Sequence, residues 1–196
     1  MAKILGNFHL ALAIGVVLLL AAMFGLHGGQ LGEGTYPWAQ WLRFVHVFAG
    51  ILWIGLLYYF NFVQIPTMPK VPAELKPGIS KHIAPAALFW FRWAALATVI
   101  LGLLVGETQQ GGYTARALGL QDGYETIGIG MWLGIIMAAN VWFVIWPNQK
   151  RALGIVPADD SAKARSASVA MMASRTNLIL SIPMLYCMVA QQHIGG

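Results

Sequence analysis

The chain has 196 residues, of which 58% are hydrophobic and only 10% charged, whereas a soluble domain carries about a quarter charged residues. A mean hydropathy of +0.66 excludes an ordinary water-soluble domain. The formal net charge of +5 does not indicate nucleic acid either, because the Lys and Arg residues sit in short segments between apolar runs and form no basic face.

The expected fold is all-α: an integral membrane helical bundle of about five transmembrane helices, forming a single membrane domain over residues 1–196. Taken along the chain, the spans run over about residues 8–26, 38–62, 84–105, 127–146 and 177–193, each near the ~20 residues that a helix needs to cross the hydrocarbon. Lys3 followed by an apolar run has the look of a secretory leader, and the expectation is that it is retained as the first span. The second span carries Arg43 and His46, the third Arg92, the fourth Asn140, and the fifth Ser181, Pro183 and Cys187. Pro66, Pro69 and Pro72 predict that the segment after the second span leaves the helix as an ordered or extended connection. Asn61 and Gln64 are expected to meet water at the end of that span. Asp159, Asp160 or Ser161 is expected to cap a short helix running toward Arg175, ahead of the fifth span.

Orientation follows from the basic residues. Lys3, Lys70, Lys76, Lys81, Lys150, Arg151, Lys163, Arg165 and Arg175 fall on one side of this arrangement, against Arg116 alone on the other. The positive-inside rule then predicts a cytoplasmic N-terminus and, with an odd number of spans, a C-terminus outside. A bacterial inner (cytoplasmic) membrane location goes with this reading. Trp38, Trp41, Tyr58, Tyr59 and Trp146 lie near span ends, where amphipathic rings favour the headgroup zone.

An ionisable group inside a bilayer costs roughly 2.5–3.5 kcal/mol on insertion scales, so it needs a partner or a purpose. His46 is the first to explain. Arg43, His46, Gly50 and Trp53 recur at three- and four-residue intervals and therefore share a helix face. That face offers a cation near the surface, an imidazole one turn deeper, a position without a side chain and a flat ring. It suits haem b, with His46 on the iron, a porphyrin lying close at Gly50 and Arg43 near a propionate. It equally suits a packed interface, with Gly50 admitting a neighbouring backbone and His46 bonding across to another helix. His27 and His193, at the outer ends of their spans, are the candidate second metal ligands beside His46. Met184, Cys187, Met188 and His193 can share a face, as a copper site requires, although Met and Cys are also ordinary packing residues. The single cysteine leaves no disulfide framework and no Cys-x-x-Cys-His for covalent haem. No phosphate loop, His-Glu-x-x-His pair or intramembrane carboxylate pair occurs.

The stretch His46-Val-Phe-Ala-Gly50-Ile-Leu-Trp53-Ile-Gly55-Leu-Leu-Tyr58-Tyr59-Phe60-Asn61-Phe62 resembles the N-terminal membrane domain of the PuuD-type urate hydroxylase (urate oxidase) family. Ala87-Leu-Phe-Trp-Phe-Arg92-Trp93, Trp146-Pro147-Asn148-Gln149-Lys150, Arg175-Thr-Asn177 and Ser181-Ile-Pro183-Met184 extend the resemblance in order along the chain. It implies a multi-span inner-membrane protein engaged in electron transfer, since full-length members pair this part with a C-terminal cytochrome c domain. A more distant likeness, in a histidine ahead of a Gly- and Trp-containing helix, is to HemJ-type membrane haem proteins.

Three functional expectations result. The first is a small haem b protein relaying electrons to or from a c-type cytochrome or larger membrane complex. The second is a cofactor-free accessory subunit that stabilises such a complex. The third is a urate hydroxylase-like membrane oxidoreductase. Membrane lipids are expected partners in all three, nucleic acid in none, and a homo-oligomer is compatible with each.

Overall fold

The computed structural model describes residues 6–27 and 36–194, with the side chains of His27, Tyr36, Pro37, Gln192, His193 and Ile194 outside that description. All regular structure among the described residues is helical. The chain divides into two compact units, residues 1–41 and 42–196. The first contains α1 (Phe8–His27), whose mean hydropathy is 2.4 over Phe8–Leu26 and whose residues are not buried.

The second unit is an up-and-down bundle of four helical rods. The first rod, Trp38–Lys70, takes in most of α2 (Tyr36–Tyr58), which belongs to this unit from Leu42 on, and the short α3 (Ile65–Thr67). Lys76–Glu107 holds the short α4 (Lys76–Gly78) and α5 (Ala84–Glu107). A surface helix, α6 (Tyr113–Leu118), follows. The third rod, Glu125–Ala152, holds α7 (Glu125–Asn140) and α8 (Trp146–Ala152), and the last is α9 (Asp160–Ile194).

Among the described residues four helices are long and apolar enough to span a membrane: α1 and the first three rods. The fifth expected span lies within α9, which is helical over 35 residues but has a more polar composition. Its polar content is of two kinds: Asp160, Lys163, Arg165 and Arg175 lie in its first half, and Ser174, Asn177 and Ser181 turn into the bundle, where all three are buried. The short helix expected before the fifth span is the first half of this one long helix. Asp159 caps it, accepting from the Ala162 backbone N–H and the Ser161 hydroxyl at 2.7 Å each. Those bonds, the Ser161 hydroxyl first, hold the Asp159 carboxyl below its usual range.

Pro66 does not end the helix, contrary to expectation; the chain leaves it only after Lys70, where Val71 is extended ahead of Pro72. Three turns widen to π-helix, at Tyr59–Gln64, Ile79–Ile83 and Val141–Ile145. In each, the next residue donates its N–H five residues back: Ile65 to Phe60, Ala84 to Ile79 and Trp146 to Val141. The residue after that donor is Pro66, Pro85 or Pro147. Proline has no N–H and its ring crowds the carbonyl four back; a wider turn relieves the crowding while the residue before it keeps a bond. Lys70, Lys76 and Lys81 lie at one connection, and Lys150, Arg151, Lys163 and Arg165 at another, so one end of the unit collects most of the cations.

At 33, 32 and 28 residues the first three rods are about 40–50 Å long at 1.5 Å per residue, longer than a hydrocarbon core of ~30 Å. Their apolar centres meet in a core of Trp53, Leu57, Phe60, Phe91, Met137 and Val141, joined by Met184 of α9. Phe60 and Phe91 pack edge to face at 5.5 Å. Outward-facing side chains such as Ile51, Phe143 and Ile179 are well exposed, as a lipid-facing surface requires. At the other end, α6 is seated between two glycines. Gly106 of α5 abuts the Thr114 hydroxyl, and Gly128 of α7 abuts the Ala117 carbonyl, so neither position has room for a β-carbon.

The tightest polar tie joins α7 to α9. Asn140 donates to the Ala173 carbonyl at 2.9 Å and to Asn177 Oδ1 at 2.7 Å, while Asn177 donates to the Met137 carbonyl at 3.0 Å. Each asparagine thus reaches the other helix's backbone. Interhelical hydrogen bonds in membranes are worth about 0.6–2 kcal/mol. Asn177→Ala is expected to cost about 1–2 kcal/mol in thermal unfolding in detergent, whereas Ile179→Ala, on the 69% exposed outer face, should leave the transition nearly unmoved.

Candidate functional site

The stripe on α2 meets α5. His46 Nδ1 lies 2.9 Å from the Thr98 backbone carbonyl. A carbonyl only accepts, so Nδ1 carries the proton and Nε2 holds the lone pair. In a helix each side chain covers the turn before it, toward the N-terminus. The residue one turn after Thr98 is Gly102, which lacks a side chain, so the Thr98 carbonyl is reachable from outside. A β-carbon at Gly102 would stand 2.9 Å from His46 Cε1 and 3.2 Å from Nδ1. Glycine at this position is what lets the imidazole lie against α5.

The remaining stripe residues follow the same helix contact. A β-carbon at Gly50 would meet the Thr98 methyl at 3.7 Å, an ordinary contact. The Thr98 hydroxyl turns back to the Ala94 carbonyl at 2.7 Å. Trp53 is 1% exposed, lies in the apolar core, and keeps its indole N–H without an acceptor among the described residues. Arg43 is exposed and close enough to influence Tyr113 of α6. Burial raises the Tyr113 phenol above its usual range, Tyr124 adds to the rise, and Arg43 opposes it. The structure thus brings His46, Gly50 and α5 together, puts Trp53 in the core and leaves Arg43 at the rim. The candidate second ligands His27 and His193 have side chains outside the described residues. Among the described residues no three His, Cys, Asp or Glu side chains come together to hold a metal ion. Met184 and Cys187 are buried, and the Cys187 β-carbon and Met188 methyl pack against Gly130 of α7.

Two polar features are arranged in ways the sequence pattern does not show; for Arg92 the expectation is a bond to a partner helix or a lean toward the cytoplasmic headgroups. Asn61 and Gln64, expected to meet water, lie in the widened turn Tyr59–Gln64 and are half-buried, their carbonyl oxygens shut off without a donor among the described residues. Asn61 donates to the Leu57 carbonyl and to the Ser174 hydroxyl, both at 2.9 Å. One turn away, Tyr58 and Ser181 hydroxyls are 3.2 Å apart, and the Ser181 hydrogen is used at 2.7 Å on the Leu178 carbonyl, which makes Tyr58 the donor. Pro66, two residues past Gln64, was the available signal for this turn. The second feature surrounds Arg92, whose guanidinium lies 3.9 Å over the Trp146 ring and 5.3 Å from Phe89. Its backbone carbonyl accepts from the Trp142 indole at 3.1 Å. Arg92 is held by aromatic faces.

Residues 119–195 match the family described as urate oxidase N-terminal. The match covers α7, α8 and α9, and with them the Asn140–Asn177 tie and the motifs Trp146–Lys150, Arg175–Asn177 and Ser181–Met184. The His46 stripe lies ahead of the matched residues. No curated protein and no solved structure matches the chain.

The His46–Thr98 contact is directly testable. Gly102→Ala forces a backbone-borne methyl against the ring, at a cost of about 1–3 kcal/mol. It is expected to shift the His46 Nδ1 proton signal in the NMR spectrum of ¹⁵N-histidine protein. Gly55→Ala, where nothing lies within 4 Å of the added carbon, should leave that signal in place.

Proposed function

We propose that this is a urate hydroxylase-like membrane protein in which His46 is the axial ligand of a haem b, and that it relays electrons to or from a c-type cytochrome or a larger membrane complex. The observation that carries this reading is the bond from His46 Nδ1 to the Thr98 carbonyl. Histidines that bind metals through one nitrogen almost always donate the other N–H to a carbonyl or carboxylate, which fixes the tautomer and raises ligand basicity. His46 has that arrangement, with its Nε2 lone pair kept for a ligand. Haem, when bound, would supply one-electron redox chemistry; the chain would supply the imidazole, its orientation and an apolar surround that keeps water away. The family match over residues 119–195 supports the urate hydroxylase-like part of the reading and does not reach His46.

The competing reading, a cofactor-free accessory subunit, is favoured by the occupied Gly50 face and by how fully the Gly102 surface is taken up by the imidazole. An absorbance spectrum separates the two. The haem reading expects a Soret band in the purified protein that is lost or displaced in His46→Ala. A haem-free spectrum together with co-purification at fixed stoichiometry with a larger complex would replace it with the subunit reading. Consumption of urate in the presence of an added electron acceptor tests the third expectation, and its failure with an intact Soret band would leave an electron relay alone.

The membrane topology belongs to the same proposal: a bacterial inner membrane, with the cation-rich end of the bundle in the cytoplasm and the His46 end facing outward. A reporter fused after Gly196 is expected to be active only outside the cytoplasm. Activity in the cytoplasm would reverse the side on which any redox partner docks.

A further inference from the structure

At the cation-rich end, α8, the connection that follows it and the first turns of α9 enclose an open cavity of about 540 Å³. Its lining includes Asn148, Arg151, Pro157, Asp159, Arg165 and Ser166. Arg151 and Arg165, both exposed, thus border one open space. The only carboxylate in the lining, Asp159, already accepts two hydrogen bonds as the cap of α9. The single ion pair among the described residues joins Lys163 to Asp160 and does not involve either arginine.

From this arrangement we infer that the cavity is a binding site for a phosphoryl anion, either the headgroup of an anionic phospholipid or free phosphate. Planar guanidiniums match a phosphate in bidentate geometry and their bonds to it are charge-assisted. Asn148 uses one amide hydrogen on the Val144 carbonyl at 2.9 Å and has a second to offer. Ser166, 6% exposed in the wall, adds a hydroxyl. The position suits a lipid: α8 begins at Trp146, an interfacial type of residue, and the apolar Ile155, Val156 and Val169 lie exposed beside the cavity or in its wall. Asp159, the one carboxylate in the lining, opposes an anion, and the two arginines outnumber it.

The test uses the full-length protein. In native mass spectrometry from detergent, the protein is expected to retain phosphatidylglycerol in preference to phosphatidylcholine. The double variant Arg151→Gln/Arg165→Gln should weaken that retention about tenfold or more, while Lys76→Gln/Lys81→Gln, which removes the same charge elsewhere at that end, leaves it within about twofold. Arg151→Lys/Arg165→Lys keeps the charge and should recover part of the binding, which distinguishes loss of the site from loss of fold. Saturable calorimetric binding of inorganic phosphate in phosphatidylcholine nanodiscs, abolished by the Gln double variant, would assign the site to free phosphate; retention of phosphatidylglycerol alone would assign it to the lipid headgroup. Equal losses in the two Gln double variants would reduce the effect to nonspecific charge and overturn the inference. So would failure of both probes to bind the unmodified protein.

Discussion

In a bilayer the hydrophobic effect does not draw one helix onto another, because lipid tails are as apolar as leucine. What fixes this bundle is therefore the handful of polar contacts that join one helix to the next. The reciprocal clasp of Asn140 and Asn177 is the strongest: each side chain reaches a carbonyl on the opposite helix and the two meet between them. It holds α9, the most polar rod, against α7 at the depth of the third widened turn. Asn61 with Ser174, and Tyr58 with Ser181, then attach the first rod to the same helix. His46 with the Thr98 carbonyl attaches it to the second. The apolar core fills the space these bonds define.

The same polar economy explains why α9 is hard to recognise as a membrane element. Asp160, Lys163, Arg165 and Arg175 and the buried Asn177 and Ser181 all lower its hydropathy, while Asn177 and Ser181 bond to neighbouring helices. A helix that solves its packing with polar side chains gives up the apolar signature that would reveal it. The three more hydrophobic rods instead keep much of their surface for lipid, with 22–28% of their apolar windows buried.

Much of the architecture was legible because bilayer thickness imposes span lengths. The first, third and fourth spans were placed within a few residues of Phe8–His27, Ala84–Glu107 and the run starting at Glu125. What was not legible depends on contacts between segments distant in sequence. Proline at 66 predicts a break only if the turn before it cannot widen, and that depends on packing around Phe60 and Asn61. Thr98 offers a backbone carbonyl, which no side-chain pattern advertises, and Gly102 uncovers it only because α2 lies alongside. Of the stripe Arg43, His46, Gly50 and Trp53, His46 and Gly50 meet α5 at Thr98 and Gly102, Trp53 lies in the core and Arg43 stays exposed. The spacing left a packed interface and a cofactor face equally open.

The widened turns have one more consequence. An extra residue in a helix advances every later side chain by about 100° around the axis, so a single helical wheel drawn through any of these rods mixes two different faces. In the third rod Met137, ahead of the widened turn, and Val141 and Ile145, at its two ends, are all buried in the bundle. In the first and third rods the short segments after the widened turn, α3 and α8, are thus set in a different phase from the long helix before it. The splice lets each part of such a rod choose its own inward residues.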